Sequence, residues 1–155
     1  MLDFVWPPVS AASEVARIEK DALRHSLKDD SFDWVIATLD GEPVGTIETN
    51  NVQPRNGTFG YGVFVGREHQ RKGYASEAIT LVLRYYFQEL RYQKCTIFVH
   101  SDNAASRALH ERLGFRLEGT LRRMIYTHGQ YVDALYYGIT AEEFAEGLGR
   151  RFGAV

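Results

Sequence analysis

Cysteine is almost missing from this sequence: Cys95 is the only one among 155 residues. A single thiol closes no internal disulfide and builds no cysteine-rich zinc site. A charge excess is missing too. The formal net charge is −2, without the basic surplus that general nucleic-acid binders carry. No apolar run approaches the length of a membrane span. The first residues, from Met1 to Pro8, lack the basic start and long apolar core of a secretory signal. Internal repeats and low-complexity stretches are absent, and the five histidines do not cluster with carboxylates at metal-ligand spacing. These absences predict one cytoplasmic domain over residues 1–155, long enough to bury a real core, with no metal, nucleic acid or membrane as partner.

What is present alternates between strand and helix patterns. Residues 11–27 place Val15, Ile18, Ala22 and Leu23 at helical spacing. The β-branched and aromatic run 34–39 predicts a strand, Asp40-Gly41 a hairpin, and 44–49 the return strand. Residues 50–57, with Pro54 and Asn56-Gly57, read as a loop. A third strand covers Thr58–Val65. Ala78, Ile79, Val82, Leu83, Tyr86, Phe87 and Leu90 then form the apolar stripe of a helix over 76–90. The short strand 95–99 follows, so strand, crossover helix and strand predict a right-handed βαβ unit. Ser101-Asp102-Asn103 caps a second helix over 104–113. A strand at 115–118, a hairpin of 121–127 with 131–139 through His128-Gly129, and a terminal helix over 142–150 complete the string. The fold class is α/β with a mixed, mostly antiparallel central sheet flanked by helices.

The junction after the third strand carries the most chemistry. Gln70-Arg71-Lys72-Gly73-Tyr74-Ala75 joins a strand to a helix start. The first amides of a helix lack intrahelical partners and sit at the positive end of its dipole, which suits an anion. Gly73 permits a positive φ or close backbone approach, and Arg71 and Lys72 add charge. The same residues also fit a plain loop glycine beside a solvated charge run.

Gln70-x-x-Gly73-x-Ala75 resembles the Q/R-x-x-G-x-G/A motif of the GNAT N-acetyltransferase superfamily. The run from Asn103 through Ser106, Leu109 and His110 to Gly114-Phe115 resembles that superfamily's second signature, in the expected order. Residues 117–122 with 129–133 are similar to its RimJ/RimL-like branch. The resemblance implies the GNAT acyl-CoA N-acyltransferase fold and acetyl-CoA as co-substrate, with no metal. It implies a V-shaped opening between Thr58–Val65 and the strand at 95–99. Backbone groups of Phe64 and Val65 would meet the pantetheine and thioester. Gln70, Arg71, Lys72, Gly73, Tyr74, Ala75 and Ser76 would cradle the pyrophosphate. Asn103 would bond the pantetheine arm, or simply cap its helix, and Ser106 would also touch the cofactor.

The reaction implied is direct attack of a primary amine on the thioester. Relatives use a Tyr seven residues after the Asn to protonate the thiolate; here His110 occupies that position. An imidazole can donate a proton near neutral pH, and Ser106 is the rival. Relatives place a Glu on the third strand as base. Thr58-Phe59-Gly60-Tyr61 has none, so Glu48 on the neighbouring strand is the leading substitute, ahead of Tyr126, His128 and Asp133. The acceptor is expected to be a protein N-terminal α-amine. A polyamine, amino sugar or antibiotic, and a CoA-binding module without chemistry, are the alternatives. The aromatic strand from Tyr131 to Tyr137 is the candidate homodimer surface.

Overall fold

The computed structural model describes residues 30–151; the helix expected over residues 11–27 lies outside them. Six strands make one sheet: β1 (Asp33–Ala37), β2 (Pro43–Gln53), β3 (Thr58–Val65), β4 (Lys94–His100), β5 (Arg116–Thr127) and β6 (Gln130–Thr140), in the order β1-β2-β3-β4-β6-β5. Every neighbouring pair is antiparallel except β3 and β4. Four α-helices lie among the described residues: α1 (Tyr74–Arg84), α2 (Ala104–Arg112), α3 (Ala141–Glu146) and α4 (Leu148–Arg151). No described helix is long and apolar enough to cross a membrane.

Strand alternation sorts the side chains onto two faces. Ile47, Phe59, Tyr61, Cys95, Ile97, Val99, Tyr137 and Ile139 are buried in one cluster with Ile79 and Leu83 of α1 and Phe144 of α3. Phe59 stacks on Tyr86 at 3.9 Å between ring centroids. Tyr86 Oη in turn donates to the carbonyl of Asp30 and stands 3.0 Å from Thr49 Oγ1. The opposite face leaves Glu48, Phe64 and Phe98 exposed.

Several boundaries differ from the sequence expectation. α1 ends at Arg84, and a π turn over Tyr85–Glu89 carries the chain on, so Tyr86 and Phe87 still reach the core. β2 runs on to Gln53, because a bulge between Asn50 and Gln53, with Asn51 at φ 48°, lets polar residues stay in the ladder. The expected separate strands at 115–118 and 121–127 are one strand, β5, with register shifts at 117/119 and 121/125. The terminal helix breaks at Gly147. β6 lies inside the sheet, and its Tyr137 is buried whereas Tyr131 is exposed, so it presents no continuous aromatic face.

Candidate active site

β3 and β4 pair only at Thr58↔Lys94 and Phe59↔Cys95. Beyond that point both strands continue, β3 to Val65 and β4 to His100, without a ladder between them. β3 stays bound to β2, and β4 to β6, so the sheet splits into a wedge that widens toward the carboxyl ends of two parallel strands. α1 starts just after β3 and α2 just after β4. Both helix N-termini therefore flank the wide end of the wedge, where α/β sheets bind ligands.

The ladder's parity decides which backbone groups line the wedge. Gly66 N–H donates to Val44 O at 2.9 Å. Residues 64, 62 and 60 share that parity, so their N–H and C=O groups belong to β2. This corrects the expectation for Phe64: its backbone is committed to Thr46, and its side chain is half exposed on the open face. Val65 turns its backbone toward the wedge, and so does Val63, which no spacing rule picks out. Phe98 does the same from β4, since Ser101 N–H to Asp133 O at 2.9 Å assigns the odd positions of that strand to β6.

The loop before α1 is built as a cradle. Gln70 Nε2 donates to Val65 O at 3.1 Å and ties the loop to the end of β3. Arg71 and Gly73 take left-handed φ values of 61° and 94°. For Gly73 that conformation favours glycine, and a Cβ there would meet nothing within 4 Å, so the backbone faces open space. Glu77 N–H makes the first backbone bond of the helix, to Gly73 O at 3.0 Å. Among the described residues, the amides of residues 71–76 have no backbone acceptor. Arg71 and Lys72 are exposed beside them. A cavity of about 430 Å³ adjoins the cradle, lined by Gly73, Ser76, Thr80 and Arg112 among others. These features fit a pyrophosphate-bearing cofactor, and Arg112 is a lining residue that its place in α2 did not announce. A larger cavity of about 730 Å³ opens at the β5 bulge among Leu121, Arg122, Arg123 and Asp133. It is walled by β5 and β6, and its Asp133 bonds Ser101 ahead of α2, but it has neither the cradle nor unpaired strand edges, and we place the chemistry in the wedge.

Asn103 caps α2, its Oδ1 accepting from Ser106 N–H at 2.9 Å. His110 is 4% exposed. Its Nδ1–H donates to Ser106 O at 2.8 Å, and Ser106 Oγ stands 3.4 Å from the same nitrogen. Burial pushes the imidazole below its ordinary range, against the opposing pull of that backbone bond. The ring is thus neutral with Nε2 as an acceptor, and that nitrogen has no partner among the described residues. In this tautomer Nε2 carries no proton, so an acid role for His110 requires a protonated ring, against the direction in which burial pushes it. Ser106 is half-buried in the first turn of α2. A stability consequence follows. The unfolded His110, near 6.5, takes up its proton before the folded one, so folding stability falls as pH drops through about 6.5 and below. The variant His110→Gln should lose less stability than wild type between pH 7 and 5 in denaturant titrations; equal losses would contradict the buried neutral ring.

Glu48 is exposed and pairs with Gly62 in the ladder; a Cβ on Gly62 would lie 3.3 Å from its Oε1. Its carboxylate therefore overlies β3 on the open face beside the wedge. On its other side it faces Asp33 across β1. Asp133 accepts from Arg123 N–H at 2.7 Å, and its own N–H donates to Ser101 Oγ at 3.1 Å. Tyr126 and His128 sit on β5 and its turn, at the far edge of the sheet. Cys95 is buried, and burial pushes its thiol up, so it is a core residue rather than a nucleophile.

Residues 3–116 match the acetyltransferase (GNAT) domain family. The chain belongs to that family. As GNAT members do, it works as an acetyl-CoA-dependent N-acetyltransferase. The prophage-derived uncharacterized N-acetyltransferase YokL of Bacillus subtilis is 43% identical over 125 residues, 81% of this chain and 71% of that protein. The putative ribosomal N-acetyltransferase YdaF of the same organism is 31% identical over 105 residues, 68% of this chain and 57% of YdaF. Among solved structures, a spermidine N-acetyltransferase from Vibrio cholerae in complex with CoA and spermine has a TM-score of 0.80 at 22% identity, covering 90% of this chain and 80% of that one. At that identity the likeness is one of fold.

Proposed function

We propose that this GNAT protein acetylates an α-amine, such as a protein N-terminus, and that the observation carrying this reading is its exposed base. Acetyl-CoA supplies an activated thioester that an amine attacks directly. The amides of residues 71–76, with Arg71 and Lys72, hold the pyrophosphate. Arg112, in the adjoining cavity, meets the nucleotide end. Backbone groups of Val63 and Phe98 bond the amides of the pantetheine arm as a strand would, helped by Asn103. Val65 N–H points at the thioester oxygen and stabilises the charge that grows there. Ser106, at the start of α2, is the proton donor for the leaving sulfur.

Glu48 accepts the proton lost by the amine, directly or through water. It is exposed to solvent, and no other carboxylate of β2 or β3 flanks the wedge. A lysine-like amine costs about 4.6 kcal/mol to deprotonate at pH 7, whereas an α-amine costs only about 1.4. An exposed carboxylate serves the second far better. The ribosomal relative is compatible with this choice and with placement in the RimJ/RimL-like branch. A single cytoplasmic domain is the setting that the sequence supports. A second reading, a polyamine acceptor, is favoured by Asp33 standing opposite Glu48. Like charges so placed repel, and a cation between them would relieve the strain. Thiol release measured across an amine panel decides. An N-terminal peptide amine should exceed spermidine in kcat/KM, and Glu48→Gln should lower it by about 10- to 100-fold. A spermidine preference would overturn the α-amine reading.

A further inference from the structure

Two buried polar atoms near the apex of the wedge have no partner among the described residues: Tyr61 Oη and His110 Nε2. They are chemically complementary. The phenol offers a proton and needs an acceptor. The imidazole, with Nδ1–H donated to Ser106 O, offers a lone pair and needs a donor. Their rings face each other at 6.0 Å between centroids and 28° between planes. Phe115 closes the space edge-on to both, at 6.3 Å and 5.2 Å. Tyr61 is also the first inward-facing residue of β3 beyond its last pair with β4, Phe59↔Cys95. The pair thus joins the strand that opens to the helix turn that carries Ser106.

We propose that one internal water bridges Tyr61 Oη to His110 Nε2, and that the chain Tyr61–water–His110–Ser106 fixes the first turn of α2 against β3. Burial raises the phenol well above its ordinary range, which keeps it a hydrogen-bond donor rather than a phenolate. Two polar partners are the fewest that a bridging water needs, and both atoms are buried from bulk solvent, which could otherwise satisfy them. Tyr61 and His110 are then positioning residues: neither touches the reacting atoms, and both act through Ser106. Only the kinetic part of the test rests on the acetyltransferase reading.

The test is 15N NMR of the histidine rings in wild type and in Tyr61→Phe, which keeps the ring and removes only the hydroxyl. In wild type His110 should show the Nδ1–H tautomer, with an Nε2 signal displaced by hydrogen bonding. In Tyr61→Phe that displacement should disappear while the tautomer and fold persist. In parallel, kcat should fall about fivefold with KM for acetyl-CoA within about twofold. An Nε2–H tautomer in wild type, or an unchanged Nε2 signal in Tyr61→Phe, would overturn the proposal whatever the activity. A changed signal with unchanged kcat would remove the positioning role.

Discussion

Gly73→Glu should abolish measurable CoA binding, weakening it by at least about 100-fold, or 2.7 kcal/mol. Two effects act together. The residue sits at φ 94°, where a side chain costs roughly 1–2 kcal/mol. The added carboxylate also points at the site where amides 71–76 and Arg71 and Lys72 would meet two phosphates. Stability should fall by no more than that backbone cost, because a Cβ at this position meets nothing within 4 Å. Calorimetric titration with CoA and a thermal melt separate the effects. Loss of binding with a near-normal melt supports the cradle, and retained binding would remove it.

Gly60→Ala should damage the wedge itself. A Cβ on Gly60 would lie 2.7 Å from Thr96 O, a backbone atom of β4, and 2.7 Å from Asn50 Oδ1. Asn50 can swing away, but the carbonyl can move only if β4 moves. Overpacking of this kind costs about 1–3 kcal/mol, or roughly 2–10 °C in Tm for a chain of this size. Gly60 follows the last β3–β4 pair directly, so the added methyl would force the strands apart at the apex. We expect kcat to fall more than about tenfold, beyond what partial unfolding explains, since reacting groups misplaced by an ångström lose that much or more. A variant with wild-type kcat and Tm would show that the apex is not a fixed point.

Much of this architecture was legible because its signals are local. Ile79, Val82, Leu83 and Tyr86 mark one helical stripe, and the alternation of Ile47 and Thr49 with Glu48 marks one strand face. The cradle was legible for the same reason: its glycine, its small residue and its position between strand and helix are all consecutive. The π turn at Tyr85–Glu89 was not legible, because the apolar spacing of Tyr86, Phe87 and Leu90 also fits an uninterrupted α-helix. The orientation of the Phe64 backbone was not legible, because it depends on ladder parity, which the bulge in β2 and the turn at Gly57 set together. The burial of His110 was not legible, because a motif position says nothing about burial. Only the packed helix shows that the imidazole faces Tyr61 and Phe115. Val63, Arg112 and Tyr61 gain their places from pairings between distant segments, and no spacing rule reports those.

The measurement that bears most directly on the central claim is a crystal structure with CoA bound. The pyrophosphate should lie on the amides of residues 71–76 and the pantetheine between β3 and β4. The sulfur should sit beside Val65 and Ser106. CoA bound in the cavity at the β5 bulge, or pantetheine outside the wedge, would contradict this placement.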